Sequence, residues 1–304
     1  MQSPCKPALR LRHEFRRSAQ TLWIARSSPR RKLTVINMLQ RLAKHVIKRT
    51  GLRRHHVAAA RMCCERHVMA RFSPARRRKT GRILCYHGVG QSAWGVNNVS
   101  ADRFRHHLET ALRRGFRFVP AAQIASDDSD DTMLAITFDD GLKSVHSQAA
   151  PILRDLCIPF SIFPVSEWSD NRHAFPDDTV LTWREIEDLL NWGAELGSHS
   201  ATHADFGQLD REAMLDELGR SRDTFSARLG LTPKSFAIPL GQSQNWNAMA
   251  QDAAREIGYE WIYAQAETTR PAQTIARSFV TQFDQEAIFK ALLMGKYDRW
   301  EEWI

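Results

Sequence analysis

The chain of 304 residues contains no apolar run near the ~20 residues that cross a bilayer. Its N-terminus also lacks the roughly 7–15-residue apolar segment of a secretory signal. A cytoplasmic protein, at most peripheral to the inner face of the membrane, is the resulting expectation. Cysteines are few and odd in number: Cys5, Cys63, Cys64, Cys85 and Cys157. No two have the spacing of a metal knuckle or a redox pair, and adjacent Cys63 and Cys64 are poorly placed to bridge each other. That argues against a disulfide scaffold and for free thiols in a reducing compartment. No Gly-x-Ser-x-Gly elbow or coherent triad surrounds Ser198 or Ser200, so neither is a candidate nucleophile. No nucleic-acid module or pattern of stacking aromatics is present, and no nucleic-acid partner is expected.

Acidic residues are scarce in one region only. Residues 1–80 hold 22 of the 43 Lys and Arg, but only Glu14 and Glu65 of the 34 Asp and Glu. The remainder keeps 21 basic and 32 acidic residues, so a net charge of +9 conceals a strongly basic extension on an acidic body. Within the extension, Ile36, Leu39, Leu42, Ala43, Val46 and Ile47 share roughly one helical face, with Arg41, Lys44 and Lys48 mostly elsewhere. Residues 1–80 therefore read either as a solvated extension, partly helical or disordered, or as carrying a basic helix in peripheral contact with an anionic membrane.

From Gly81 the texture changes, and residues 81–304 are expected to form one catalytic domain. Apolar strand candidates (GRILCYHGVG, LAITF, IPFSIFPV, AELGS, KSFAIPLG, YEWIYA) alternate with helical stretches. Ser100 is placed to cap the first helix, with Phe104, Leu108 and Leu112 along one face and His106 and His107 at least partly toward solvent. Thr182 is placed to cap another helix, and Gly230 to end the long one before it. This alternation is the pattern of a parallel α/β sheet. His87, Asp139, Asp140, His199 and the Pro239–Gly241 turn all fall at C-terminal strand ends, the edge where such folds gather their active sites.

Asp139 and Asp140 follow a buried run and precede Gly141, so both carboxylates can face one pocket. One could bind a divalent cation while its neighbour serves as a base; a helix cap beside a solvated loop acid is the plainer alternative. In SHSATH, His199 and His203 lie four positions apart, one helical turn, so their rings can meet a single ion. Two imidazoles and a carboxylate leave coordination positions open for water, as catalytic zinc sites do. Trp168 and Trp183 are candidates for stacking walls of such a pocket, although tryptophans more often fill core or rim positions.

In order and separation, TFDDG, SHSATH and FAIPLG resemble the motifs of the polysaccharide deacetylase family, whose NodB-homology domain is a distorted (β/α) barrel, often of seven strands. The resemblance covers roughly residues 81–283. It implies metal-dependent removal of N- or O-acetyl groups from sugars, with Asp139 as catalytic base, and Asp140, His199 and His203 as ligands of a divalent ion, most simply Zn2+. Pro239 and Gly241 would then lie on the substrate side. The third motif departs from the family's pattern: Ala237 stands where many relatives carry an arginine that orients the base, and Leu240 where they carry an aromatic. No histidine occurs in the C-terminal segment that usually supplies the general acid. ILCYHGVG resembles the first strand of the poly-β-1,6-N-acetylglucosamine deacetylases, in which the motif is circularly shifted, making His87 the expected acid. The implied substrate is an acetylated amino-sugar glycan or glycolipid. Two alternatives stand beside it: acetyl or formyl removal from a lipid-linked sugar, and a non-catalytic metal- or sugar-binding relative.

Overall fold

A computed structural model describes residues 54–300, apart from Asp127 and Asp177. The chain divides into two compact units, residues 1–58 and 59–304. The candidate membrane-binding face at Ile36–Ile47 lies outside the described residues. No described helix is long and apolar enough to cross a membrane.

The second unit is built on parallel strands. Its main strands are β1 (Arg82–Tyr86), β5 (Met133–Phe138), β6 (Phe160–Ile162), β7 (Glu195–Ser198), β8 (Ser235–Ala237), β9 (Trp261–Tyr263) and β10 (Ser278–Phe279). Short β2 (Gly88–Val89) and β3 (Asn98–Val99) pair with each other, and β4 (Arg117–Phe118) flanks the start of β5. The main order is β10-β1-β5-β6-β7-β8-β9, and a parallel bridge from Tyr263 to Ile275, just before β10, links the far end back toward the first. The result is a distorted (β/α) barrel. β10 lies beside β1, with Leu84 opposite Ser278 and Cys85 opposite Phe279.

Nine helices of the described residues clothe the strands: α1 (Arg54–Phe72), α2 (Ala101–Arg113), α3 (Ala121–Ala125), α4 (Ala150–Asp155), α5 (Ser166–Ser169), α6 (Trp183–Asn191), α7 (Arg211–Leu229), α8 (Ala248–Ile257) and α9 (Glu286–Leu293). Their ends follow local chemistry. Ser100 caps α2 by accepting from Arg103 N–H, and Thr182 and Glu185 form a reciprocal capping box on α6. Gly230 closes α7 in the left-handed conformation, at φ +66°. On α2, Phe104 and Leu108 are buried, but Leu112 is 41% exposed, so the apolar stripe is narrower than expected.

The period of two along a strand sorts the core. Leu84, Tyr86, Leu134, Ile136 and Phe138 pack outward with the helices. Ile83 and Ala135 point the other way and meet Phe163, Ala237 and Tyr263 from across the barrel. Because Ile83 is in register with Ala135, and Cys85 with Thr137, both strands deliver their next odd residues, His87 and Asp139, toward this interior.

The extension ends earlier than Gly81. Met62 and Arg66 of α1 are buried, and the Arg66 guanidinium pairs with the Asp284 carboxylate, both fully enclosed. Tyr297 and Trp300 hold the same guanidinium between them, at 4.6 and 5.0 Å. A charge removed from water requires such partners, so residues 59–80 are part of the barrel unit despite their basic composition.

Candidate active site

At the C-terminal rim, Asp139 follows directly on β5, and the next residue turns sharply: Asp140 has φ +69° and Gly141 φ +71°. Only a glycine fits at 141, because a Cβ there would lie 2.8 Å from Pro164 Cβ and 2.9 Å from its Cα. This reversal breaks the strand alternation, so the second carboxylate also reaches the rim rather than the outer face.

Asp140 Oδ1 lies 3.4 Å from His199 Nε2 and 3.5 Å from His203 Nε2. Its other oxygen accepts a hydrogen bond from the Trp94 indole N–H at 2.7 Å. His199 follows β7, and its Nδ1 donates to the Ala237 carbonyl of β8 at 2.9 Å, which directs Nε2 toward Asp140. The expected helical turn between the histidines is absent. Residues 199–204 form a loop in which Ser200 and His203 have φ near +69° and +68°, and Ser200 Oγ accepts from the His203 N–H at 2.8 Å. Side-chain-to-backbone bonding of this kind competes with helix formation, and here it swings the His203 ring to the same carboxylate oxygen.

These three residues fit a divalent cation. A tetrahedral ion with bonds of ~2.0–2.1 Å needs ligand atoms about 3.3–3.4 Å apart, close to the two measured separations. All three ligand atoms lie within 4.8 Å of one another. Burial pushes the Asp140 carboxyl up, but the imidazoles of His87, His199 and His203 more than reverse this, holding it well below its usual range. Burial and neighbouring His199 lower His203 to about 4, leaving its ring neutral with a lone pair to offer. A fixed tautomer on one histidine and a bonded outer oxygen on the carboxylate are the supports metal ligands characteristically have.

Asp139 sits beside this cluster, 1% exposed. Both its oxygens receive Arg277: Nη1 reaches Oδ1 at 2.7 Å and Nη2 reaches Oδ2 at 2.6 Å. Arg277 is itself fully enclosed, donating also to Thr137 Oγ1 and the Ala264 carbonyl, with its guanidinium 5.5 Å from the Phe163 ring centre. Burial alone would raise Asp139; Arg277 and then His199 outweigh it, and the carboxyl is held below its ordinary value. The arginine that Ala237 does not supply therefore arrives from the segment entering β10. No motif flags Arg277 in the sequence. Its legible signal is only an arginine before a short apolar run, and Trp94 gave none.

His87 is 5% exposed, packs edge-on against Phe279, and has a buried Nδ1 without a hydrogen-bond partner. One of its ring nitrogens lies within 4.8 Å of an Asp139 oxygen. Burial lowers its pKa, against the raising influence of Asp140 and Asp139. A cavity of about 140 Å³ opens over the cluster, lined by His87, Asp140, His199 and His203 with Leu240 and Gln242. Leu240 of the expected substrate-side turn lines it, as does Gln242 just after the turn, whereas Pro239 and Gly241 are buried next to them. Trp168 stacks on His203 with centroids 5.4 Å apart and contacts Trp94 and Phe175, forming an aromatic rim. Trp183 instead packs on Phe225 of α7.

Of the remaining histidines, His146 stacks on Trp192. His107 departs from its expected solvent-facing position: it is fully buried, its Nε2 donating to the Asp284 carbonyl and its Nδ1 accepting from the Tyr86 hydroxyl at 3.1 Å.

Known proteins share this fold and part of this sequence. In sequence the chain is 22% identical over 183 residues to YxkH of Bacillus subtilis (strain 168), whose name assigns it provisionally to the polysaccharide deacetylases. The match spans 59% of this chain and 62% of that protein, so the two share about three-fifths of the relative's length. The fold is similar to Streptococcus pyogenes deacetylase PplD, with TM-score 0.61 and 18% identity over 72% of this chain and 99% of the other. It is similar also to IcaB from Ammonifex degensii, with TM-score 0.59 and 20% identity over 72% and 98%. A de-N-acetylase from Aggregatibacter actinomycetemcomitans shares the fold at TM-score 0.59 and 19% identity, over 69% and 98%. The family model for polysaccharide deacetylases matches residues 126–262, a span that includes Asp139, Asp140, His199 and His203 but neither His87 nor Arg277. Residues 126–262 are thus similar in sequence to the polysaccharide deacetylase family.

Proposed function

We propose that the protein is a metal-dependent hydrolase that removes N-acetyl groups from amino sugars of a glycan. The observation carrying this reading is the convergence of His199 Nε2 and His203 Nε2 on one Asp140 oxygen, beside a second, arginine-held carboxylate.

Asp140, His199 and His203 would hold a divalent cation, with Zn2+ suited to this nitrogen–oxygen set. Such an ion, when bound, polarises an acetamide carbonyl and lowers the pKa of water. The remaining work belongs to the chain. Asp139 takes a proton from the attacking water, and Arg277 fixes its orientation and keeps it ionised for that task. A carboxylate has about four lone-pair sites, so the two Arg277 bonds leave each oxygen able to accept. His87 takes up the proton that Asp139 removed from water and delivers it to the departing nitrogen as the carbon–nitrogen bond breaks, giving acetate and a free amino sugar. Its nitrogen and the Asp139 oxygen lie within 4.8 Å, so both proton transfers occur in one small space. The aromatic rim of Trp168, Trp94 and Phe175 offers faces for a sugar ring. The neighbours IcaB and the Aggregatibacter de-N-acetylase share the fold, and the second is named for N-deacetylation, which favours an amide over an ester substrate here.

The test is acetate and free-amine release from N-acetylglucosamine oligomers, before and after chelation and on restoring Zn2+. Stoichiometric acetate and amine that vanish with chelator are expected. Acetate release only from O-acetylated sugars, or none from either by metal-replete protein, would overturn the reading.

A further inference from the structure

The opposite end of the barrel carries a second cavity, of about 350 Å³. It lies where β1 begins at Arg82, and where residues 114–116 and Asp131 lead toward β4 and β5. Arg76, Arg77, Arg78, Arg82 and Arg114 line it, against the single carboxylate of Asp131. Two of these guanidiniums have partners. Arg82 Nη1 lies 2.9 Å from both Glu267 and Asp298, and Arg78 pairs with the same two carboxylates. Arg76, Arg77 and Arg114 have no ion pair or side-chain hydrogen bond among the described residues. Even counting Glu267 and Asp298, five guanidiniums face three carboxylates. Burial, and then the charge of Arg82, lowers Arg78 to about 10, far below the ordinary value for a guanidinium.

We propose that this cavity binds a phosphate group carried on an organic moiety. The planar fork of arginine matches phosphate oxygens in pairs, and a dianion relieves the mutual repulsion of guanidiniums gathered without enough acids. The volume falls in the ~300–1,000 Å³ range of small-molecule sites and exceeds what a bare phosphate fills. Phe116 and Met294, the latter 40% exposed, give the cavity an apolar side for whatever the phosphate is attached to. The site belongs to the N-terminal edge of the sheet, and the candidate active site to the C-terminal edge, so this phosphate is not presented to Asp139. A soluble phosphomonoester and a lipid headgroup carry the same chemistry, and binding assays separate them.

The full chain is titrated by calorimetry with inorganic phosphate and with glycerol 3-phosphate, at constant ionic strength set by chloride. In parallel it is sedimented with phosphatidylcholine vesicles with and without phosphatidic acid. Saturable binding in the first arm identifies a soluble phosphomonoester; binding only to the acidic vesicles identifies a lipid. In either arm, replacing Arg77→Ala and Arg114→Ala together weakens binding about tenfold or more. Lys79→Ala, exposed and outside the cavity, leaves binding unchanged. Both variants retain residues 1–58, so the difference reports on the cavity, and circular dichroism checks that each is folded. No binding in either arm, equal binding by the double variant, or equal weakening by Lys79→Ala would overturn the proposal.

Discussion

Replacing Arg277 with methionine isolates the buried charge pair at the heart of the site. The substitution removes two hydrogen bonds of 2.7 and 2.6 Å to Asp139, plus those to Thr137 and the Ala264 carbonyl, from a pair 0% and 1% exposed. Asp139 would then be a buried carboxylate with no guanidinium. Breaking a buried pair by deleting one partner costs about 3–5 kcal/mol. For a domain of this size each kcal/mol lowers Tm by roughly 2–4 °C, so a fall of about 6–20 °C is expected in thermal unfolding. Asp139→Asn by itself strands the opposite charge and should also destabilise. In Asp139→Asn/Arg277→Met neither charge remains, so the double variant should unfold at a higher temperature than Arg277→Met alone. That inversion distinguishes a charge pair from simple loss of packing. An Arg277→Met Tm within about 2 °C of wild type, or a double variant as unstable as the sum of the singles, would refute the reasoning.

Other expectations follow from neighbouring contacts. Trp94→Phe keeps the aromatic rim but removes the N–H that occupies Asp140 Oδ2. Affinity for Zn2+, measured by competition with a chelating indicator, should fall about 10–100-fold; an unchanged Kd would remove Trp94 from the ligand's support. Asp139→Asn should retain metal while losing turnover, and His87→Ala should slow deacetylation about 10²–10⁴-fold; wild-type rates in either would remove that residue from proton transfer. His107 is lowered to about 4 by burial, against the opposing hydrogen bond to the Asp284 carbonyl. The unfolded chain binds the extra proton first, so this contribution to stability is complete above the ordinary value of 6.5 and is lost as pH falls toward 4. It is on the order of 3 kcal/mol. His107→Phe should therefore lose less Tm between pH 7 and pH 5 than wild type, and parallel losses would contradict the assignment.

Much of the barrel is legible because buried parallel strands are written as apolar runs. Met133–Phe138 is buried throughout, and the caps at Ser100 and Thr182 form as their residue types suggest. The site was legible where its residues cluster in sequence. It was opaque where folding imports a group from afar. Arg277 meets Asp139 across 138 positions, and neither the spacing nor composition of ARSFV announces a buried guanidinium. Composition misled at α1, where a basic stretch conceals Arg66 buried against Asp284, 218 positions away. The His199–His203 spacing suggested proximity for the wrong reason: a loop with positive φ angles, not a helical turn, brings the rings together. For His107 the alternation of polar and apolar neighbours could not reveal that Tyr86 and Asp284 would satisfy both ring nitrogens.

The most direct test of the central claim is the metal content of purified protein measured beside that of His199→Ala/His203→Ala. The Asp140–His199–His203 cluster predicts one tightly held divalent ion per folded chain, falling to background in the double variant while the far-ultraviolet spectrum is kept. Equal metal in the two proteins, or none bound by wild type after incubation with Zn2+, would contradict it.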